Sequence, residues 1–402
     1  MSGNNPIAAA LLARAQEISP EIVAFRRALH AMPELRMDTP KTEAFIVKTL
    51  REIGVTDIRA GVGGHGVVAL IKGELPGPCL AIRADCDGLP IGEETGLPFA
   101  SENGNMHACG HDAHTAIALG AAKLLTENKS RLRGTVKLIF QPYEEGDGGA
   151  KAMIADGALE SPTVDAILAL HNHPTECPDY RAGDVLVTPE PTSANIFAYE
   201  AVFYGTPAHV CLSNESVNPV HMACTAVAEI AALPNGEGKI INAVPVIHGG
   251  VRNNVIPEVC TVCGSIRSFD TALHQQTASR VKEILHATAE RFGGRVEVKT
   301  TIDLMATEID RPLYDRFVSV LADLFPERGG VPMKEREIIG EDFARFAARV
   351  PAVYFKLHTA PHGKSYPLHH PKFDVNEDVL YCGSVAFAGF ALLWQEKDEE
   401  AK

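Results

Sequence analysis

The chain has 402 residues, a formal net charge of −14, 46% apolar residues and 22% charged ones. That describes an ordinary soluble globular protein, long enough that two domains are expected. The acidic balance excludes a nucleic-acid partner, which needs clustered Lys and Arg, and no apolar run approaches the ~20 residues that span a bilayer.

The start, Met1 to Pro6, is polar and lacks the basic-then-apolar order of a secretory signal. Ile22, Phe25, Leu29 and Met32, then Phe45, Ile46 and Leu50, recur at helical spacing, with Pro33 and Pro40 between them. Short apolar runs follow at 80–82, 136–140 and 166–170, each passing into polar residues. Amphipathic helical stretches lie between them at 115–127 and 149–154. This alternation predicts an α/β fold with a mostly parallel sheet and helices on both faces. The Pro, Thr and Gly content of 177–193 reads as a linker. Beyond it, strands at 195–203, 240–247, 261–267 and 295–301 alternate with helices at 219–233 and 273–292. We therefore expect a small α/β domain, 190–305, inserted into a first domain made of 1–189 and 306–402. The first domain resumes with a helix at 313–324, a strand at 353–355 and a terminal helix near 383–395.

Nine cysteines, an odd number scattered along the chain, point to a reduced, cytoplasmic setting without a disulfide framework. The one C-x-x-C, Cys260 and Cys263, lies in a β-like run that turns the two thiols to opposite faces, as core packing would.

The chemistry collects where the predicted strands end, which is where open α/β sheets bind ligands. Asp85-Cys86-Asp87 follows the first run, Glu144-Glu145 the second and His171-Asn172-His173 the third. The stretch 106–114 adds Cys109, His111 and further histidines. Cys109, His111, Glu145, His171 and His369 together supply a thiolate, three imidazoles and a carboxylate. That suffices for two divalent metal ions if Cys109 bridges, and the mixed donor set suits zinc, manganese, cobalt or nickel. Of the adjacent Glu144 and Glu145, one can ligate while the other moves the proton of an attacking water. Asp85 and Asp87 share a face, where carboxylates orient metal-bound imidazoles.

These motifs resemble the di-metal aminoacylase and amidohydrolase family that includes hippurate hydrolases, indole-acetyl-amino-acid hydrolases and N-acyl-amino-acid deacylases. The resemblance runs through 29–34, 83–90, 106–114, 141–145, 169–171, 204–209, 254–257, 264–267, 340–343 and 368–373. It implies metal binding by Cys109, His111, Glu145, His171 and His369, with Glu144 as general base and then acid. Asp87 matches the carboxylate that orients the site. His369, rather than its neighbour His370, takes the ligand position. The inserted domain is expected to act as a dimerisation lid, so that the chain forms a homodimer. Its His209 would hold the substrate carbonyl or carboxylate in the partner subunit's site, and Asn254 and Arg267 match positions that bind the carboxylate of the amino-acid product. The expected function is hydrolysis of the amide bond of an N-acyl or N-aroyl amino acid. A dipeptidase or carboxypeptidase is the alternative, and a non-catalytic ligand-binding relative the more distant one. The chain departs from the family at Thr206-Pro207-Ala208, at Cys211 and Asn214, and at His173, His358 and His362. Surface or packing roles are expected for those three histidines.

Overall fold

The computed structural model describes residues 5–146, 148–334 and 336–395. The chain opens with three helices, α1 (Pro6–Glu17), α2 (Ser19–His30) and α3 (Pro40–Ile53). Each has proline in its first turn, where the missing N–H leaves no bond unmade. A hairpin of β1 (Asp57–Val62) and β2 (Gly66–Lys72) follows, then β3 (Leu75–Asp85) and α4 (His111–Glu127). Next come β4 (Arg133–Gln141), α5 (Gly149–Ala155), β5 (Ala166–His173) and the short β6 (Val185–Val187). The chain then forms β7 (Asn195–Tyr204), β8 (Ala208–His209), α6 (Pro219–Ala231), β9 (Ile240–Gly249) and β10 (Val255–Ile256). After β11 (Val259–Ser268), α7 (Thr271–Arg291) and β12 (Arg295–Leu304) it continues with α8 (Arg311–Leu324), β13 (Gly330–Pro332) and α9 (Ala344–Ala347). It ends with β14 (Ala352–His358) and α10 (Leu380–Leu393).

These elements divide into two compact units. The first carries an eight-stranded sheet in the order β1-β2-β4-β3-β5-β14-β6-β13. Its centre is parallel: β3 pairs with β4 and β5, and β5 with β14. Four of the seven strand pairings are parallel, and the sheet is mixed because β1–β2, β2–β4 and β6–β14 are antiparallel. Leu80, Ile82 and Ala84 of β3 enter the main core, and Ala81 and Arg83 on the opposite face are equally buried. A central strand dry on both faces reads as a near-continuous apolar run, and this one does. Helix α4 is buried almost all round, which its run of Ala, Gly and Leu permits.

The second unit is Ser193–Thr307 together with Arg336–Ala344. Its antiparallel sheet, β12-β7-β11-β9, packs α6 and α7 over one apolar core that includes Phe197, Phe203, Val262 and Leu285. The later segment joins this unit because Ala194 N–H donates to Ile339 O (2.9 Å) and Arg267 Nη1 donates to Ile338 O (2.9 Å). The expected linker at 177–193 contains β6, a strand of the large sheet. All nine cysteines are free thiols, with Cys260 buried and Cys263 half-buried. Among the described residues no helix is long and apolar enough to cross a membrane.

A buried ionic knot ties α2 to the start of α4. Arg26, fully buried, donates to Asp112 (2.8 Å), Asp374 (2.9 Å) and Glu377 (3.0 Å). His30 donates from Nδ1 to Asp112 (2.7 Å) and from Nε2 to Glu93 (3.1 Å), so both ring nitrogens carry protons. Burial opposes that charge, but Asp112 and Glu93 outweigh it and push the imidazole up to about 9 from 6.5. A folded-state value above the unfolded one makes this contribution complete below pH 6.5 and removes it as pH rises through about 9. Thermal unfolding across that window should show a falling melting temperature, and His30→Gln should flatten the fall. Asp112→Asn should lower stability by roughly 3–5 kcal/mol, since it breaks the fully buried Arg26–Asp112 pair, takes the charge from beside His30 and leaves Arg26 only the less buried Asp374 and Glu377. A variant as stable as the wild type would remove the knot from the account.

Candidate metal centre

The carboxyl ends of β3, β4 and β5 deliver their polar residues to the N-terminal turn of α4. Gly110 precedes that helix in the left-handed region (φ 85°), and a Cβ there would lie 2.3 Å from Asn172 Nδ2. Glycine is therefore required on both counts. The turn it permits brings Cys109, His111 and His171 together, their ligand atoms within 4.8 Å of one another and all three buried.

Hydrogen bonds decide which ring nitrogen of each histidine can donate a lone pair. His111 Nδ1–H donates to Asp87 O (3.0 Å), leaving Nε2 buried with no hydrogen-bond partner. His171 Nδ1–H donates to Asn172 O (2.8 Å), and its Nε2 stands 3.4 Å from Cys109 Sγ. Backbone acceptors thus take the Nδ1 proton of both rings and turn both Nε2 atoms toward the thiol. Against burial, Asp85 and then Cys109 hold His111 well above the usual imidazole range, so its Nε2 is a proton site that a cation would take over.

A second group shares Cys109 and adds Glu145 and His369. His369 Nε2 lies 3.2 Å from Glu145 Oε1, and its ring is half-exposed, unlike the other two. The backbone of His369 is left-handed (φ 64°) and its N–H donates to Ala108 O (2.8 Å), which ties this loop to the Cys109 turn. His370 turns elsewhere, stacking on Tyr366 and accepting Lys372 N–H (3.0 Å).

Asp87 is buried and accepts the backbone N–H of Glu144 (3.0 Å) and of Glu145 (3.4 Å). It anchors the turn that carries both glutamates as well as orienting His111. Glu144 Oε2 lies 3.9 Å from the unpartnered His111 Nε2. Glycine is needed in this turn, since a Cβ at Gly146 or Gly148 would run into the Tyr143 ring.

Electrostatics add to the geometry. Burial, then the charge of Glu145, pushes the Cys109 thiol well above its ordinary range. Burial, then His114, pushes His171 well down. Burial works against the charged forms of Asp85 and Glu145, yet both stay below the usual carboxylate range. His111, His114 and Arg83 hold Asp85 there, and His369 and His111 hold Glu145. A buried thiol that resists ionising, beside two inward ring nitrogens and a carboxylate, is a donor set completed by a cation. The residues fit divalent metal ions.

The remaining expected residues lie in the second unit. His209 on β8 pairs with Val255 on β10, and Val210 N–H donates to Asn254 O (3.1 Å), so His209 and Asn254 share one two-stranded ribbon. Arg267 is on β11 in the four-stranded sheet. Of the histidines expected at the surface or in packing, His362 is exposed beside Asp378, while His358 is buried with its Nδ1 3.1 Å from that of His173. The sequence leaves His114 a supporting or structural role and gives Asn172 none, because the bond that joins the two beside this centre spans 58 residues.

Residues 81–393 match the family model described as peptidase family M20/M25/M40. Thermostable carboxypeptidase 1 of Saccharolobus solfataricus is 33% identical over 397 residues, 95% of this chain and 97% of its own. N-acetyl-L-cysteine deacetylase of Bacillus subtilis is 33% identical over 397 residues, 96% of this chain and 91% of its own. A dinuclear metal-binding peptidase of the M20 family from Bacillus subtilis superposes with a TM-score of 0.80 at 30% identity, over 94% of this chain and 99% of that one. A match across most of the chain, by sequence and by fold, places it: the chain belongs to peptidase family M20/M25/M40 and is a metal-dependent hydrolase of amide bonds.

Proposed function

We propose that the protein hydrolyses the amide bond of N-acyl or N-aroyl amino acids. The observation that carries this reading is the placement of Glu144, hung from Asp87 by its backbone N–H with its carboxylate 3.9 Å from the unpartnered His111 Nε2. Two divalent cations held by Cys109, His111, Glu145, His171 and His369, with Cys109 shared, would supply Lewis acidity to a water and to the scissile carbonyl. Glu144 takes the proton of the attacking water and returns it to the leaving nitrogen, so that the acyl carbon gains hydroxyl and the amine leaves neutral. Asp87 keeps Glu144 and Glu145 in their different roles by holding both backbone N–H groups. His209, Asn254 and Arg267 bind the substrate carbonyl and carboxylate. The deacetylase relative acts on an N-acetyl amino acid by its name, which supports this substrate class. The carboxypeptidase relative favours a second reading, in which the acyl group is itself an amino-acid residue.

The second unit is proposed to pair two copies of the chain. β9 is an edge strand with Ile241, Val246 and Ile247 45%, 44% and 49% exposed. An unpaired apolar edge is a template for another strand. In such a homodimer His209 of one subunit completes the site of the other.

Chelation should abolish amide hydrolysis. Glu144→Gln should keep its metal, measured by elemental analysis, yet lose about 10²–10⁴-fold in kcat; near-normal turnover would remove it as the base. A panel of N-acetyl, N-benzoyl, indole-acetyl and p-aminobenzoyl amino acids, with dipeptides as controls, should show preference for the acyl series. Preference for dipeptides would select the second reading. Ile247→Glu should turn a dimer into a monomer in sedimentation and lower kcat/KM, as His209→Ala should with metal content intact. A fully active monomer would refute the shared site.

A further inference from the structure

Beside the cluster around Cys109 lies another group of three buried donors, Asp85, His111 and His114, whose ligand atoms also fall within 4.8 Å of one another. Distance alone would make His114 a metal ligand. Its hydrogen bonds give it a different task. Nδ1–H donates to Asp85 Oδ1 (2.6 Å), and Nε2 accepts the backbone N–H of Asn172 (2.9 Å). Neither nitrogen of His114 has a lone pair left for a cation. Asp85 is held in turn by Arg83 Nη1 on its other oxygen (2.7 Å).

Asn172 is pinned at its N–H, its C=O and its side-chain Nδ2, and only its buried Oδ1 is without a partner. Its N–H goes to His114 Nε2, its C=O accepts His171 Nδ1–H (2.8 Å), and its side-chain Nδ2 donates to Cys109 O (2.6 Å). His114 Nε2 also lies 2.9 Å from Asn172 Nδ2. The side chain occupies the space that glycine at 110 leaves open. Asn172 is therefore the joint between the Cys109 turn and the end of β5. His114, supported by Asp85 and Arg83, holds that joint still.

We propose that His114 is a positioning residue rather than a ligand, and that through Asn172 it sets the separation and orientation of Cys109 and His171. This rests on the reading that Cys109 and His171 bind a divalent cation. Partners of this kind, which touch no metal themselves, typically change metal affinity by about 10–100-fold.

Two measurements test it, and neither is an activity assay. The first is ¹⁵N NMR of histidine rings in the metal-free wild type, followed by zinc titration. His114 should be the Nδ1–H tautomer before and after zinc, with its Nε2 signal moving little while those of His111 and His171 move strongly. A His114 Nε2 that carries the proton, or that shifts with zinc as the other two do, overturns the proposal. The second is zinc affinity by competition with a chromophoric chelator. His114→Asn keeps a donor toward Asp85 but cannot reach Asn172, and should bind zinc ~10–100-fold more weakly. His114→Gln places a carbonyl where Nε2 was and should recover most of that loss. Wild-type affinity in His114→Asn overturns the proposal while leaving the metal site intact. Failure of the wild type itself to bind zinc overturns the site reading, and this proposal with it.

Discussion

Three buried imidazoles crowd one side of Cys109, and the hydrogen bond made by each Nδ1 governs what each can do. In a dry site a ring nitrogen is either a donor or an acceptor, and an unpartnered one is costly. Asp87 O and Asn172 O take the Nδ1 protons of His111 and His171, so these rings face the thiol with Nε2. Asp85 takes the proton of His114, whose other nitrogen is occupied by a backbone N–H. The same ring type, within one small volume, is thereby sorted into two rings with Nε2 turned to the thiol and one with both nitrogens engaged, which is the basis of the proposed split between ligands and brace. The parallel centre of the sheet brings these acceptors to one edge.

The sorting explains how Asp87 serves two purposes. Its carbonyl orients His111, and its carboxylate fixes the backbone of both glutamates. The donor ring and the adjacent acidic turn are referenced to a single residue at the end of β3. Displacing Asp87 would move both together, which keeps Glu144 in register with His111.

Much of this was legible in the sequence because it is local. Apolar runs that end in Asp, Glu or His mark β3, β4 and β5 and their carboxyl ends, and the two-residue spacing of Cys109 and His111 marks a donor pair. What was not legible is non-local or short. β6 is three residues in a stretch rich in proline and glycine, and it becomes a strand only through β13 and β14. Residues 336–344 read as part of the first domain, because nothing in them announces hydrogen bonds to Ala194 and Arg267. The mixed character of the sheet comes from β1, β2 and β6, whose direction the apolar pattern does not encode. Arg26 and His30 share the buried face of α2 with Ile22 and Leu29, but as polar residues they carry no apolar signal, and acidic partners from distant segments offset their burial. His111 and His114 sit three apart on one helical face, so spacing cannot separate ligand from brace.

The two inward-facing rings take their orientation from carbonyl oxygens of the main chain. Every amino acid supplies such an oxygen, so no single substitution can delete the acceptor that selects the tautomer of His111 or His171. The brace has no such protection, because its acceptor is the Asp85 side chain. Mutational drift should therefore wear on this centre unevenly: the features most directly tied to the cation are encoded in backbone path, which changes slowly, and the supporting ones in side-chain identity, which one codon can remove.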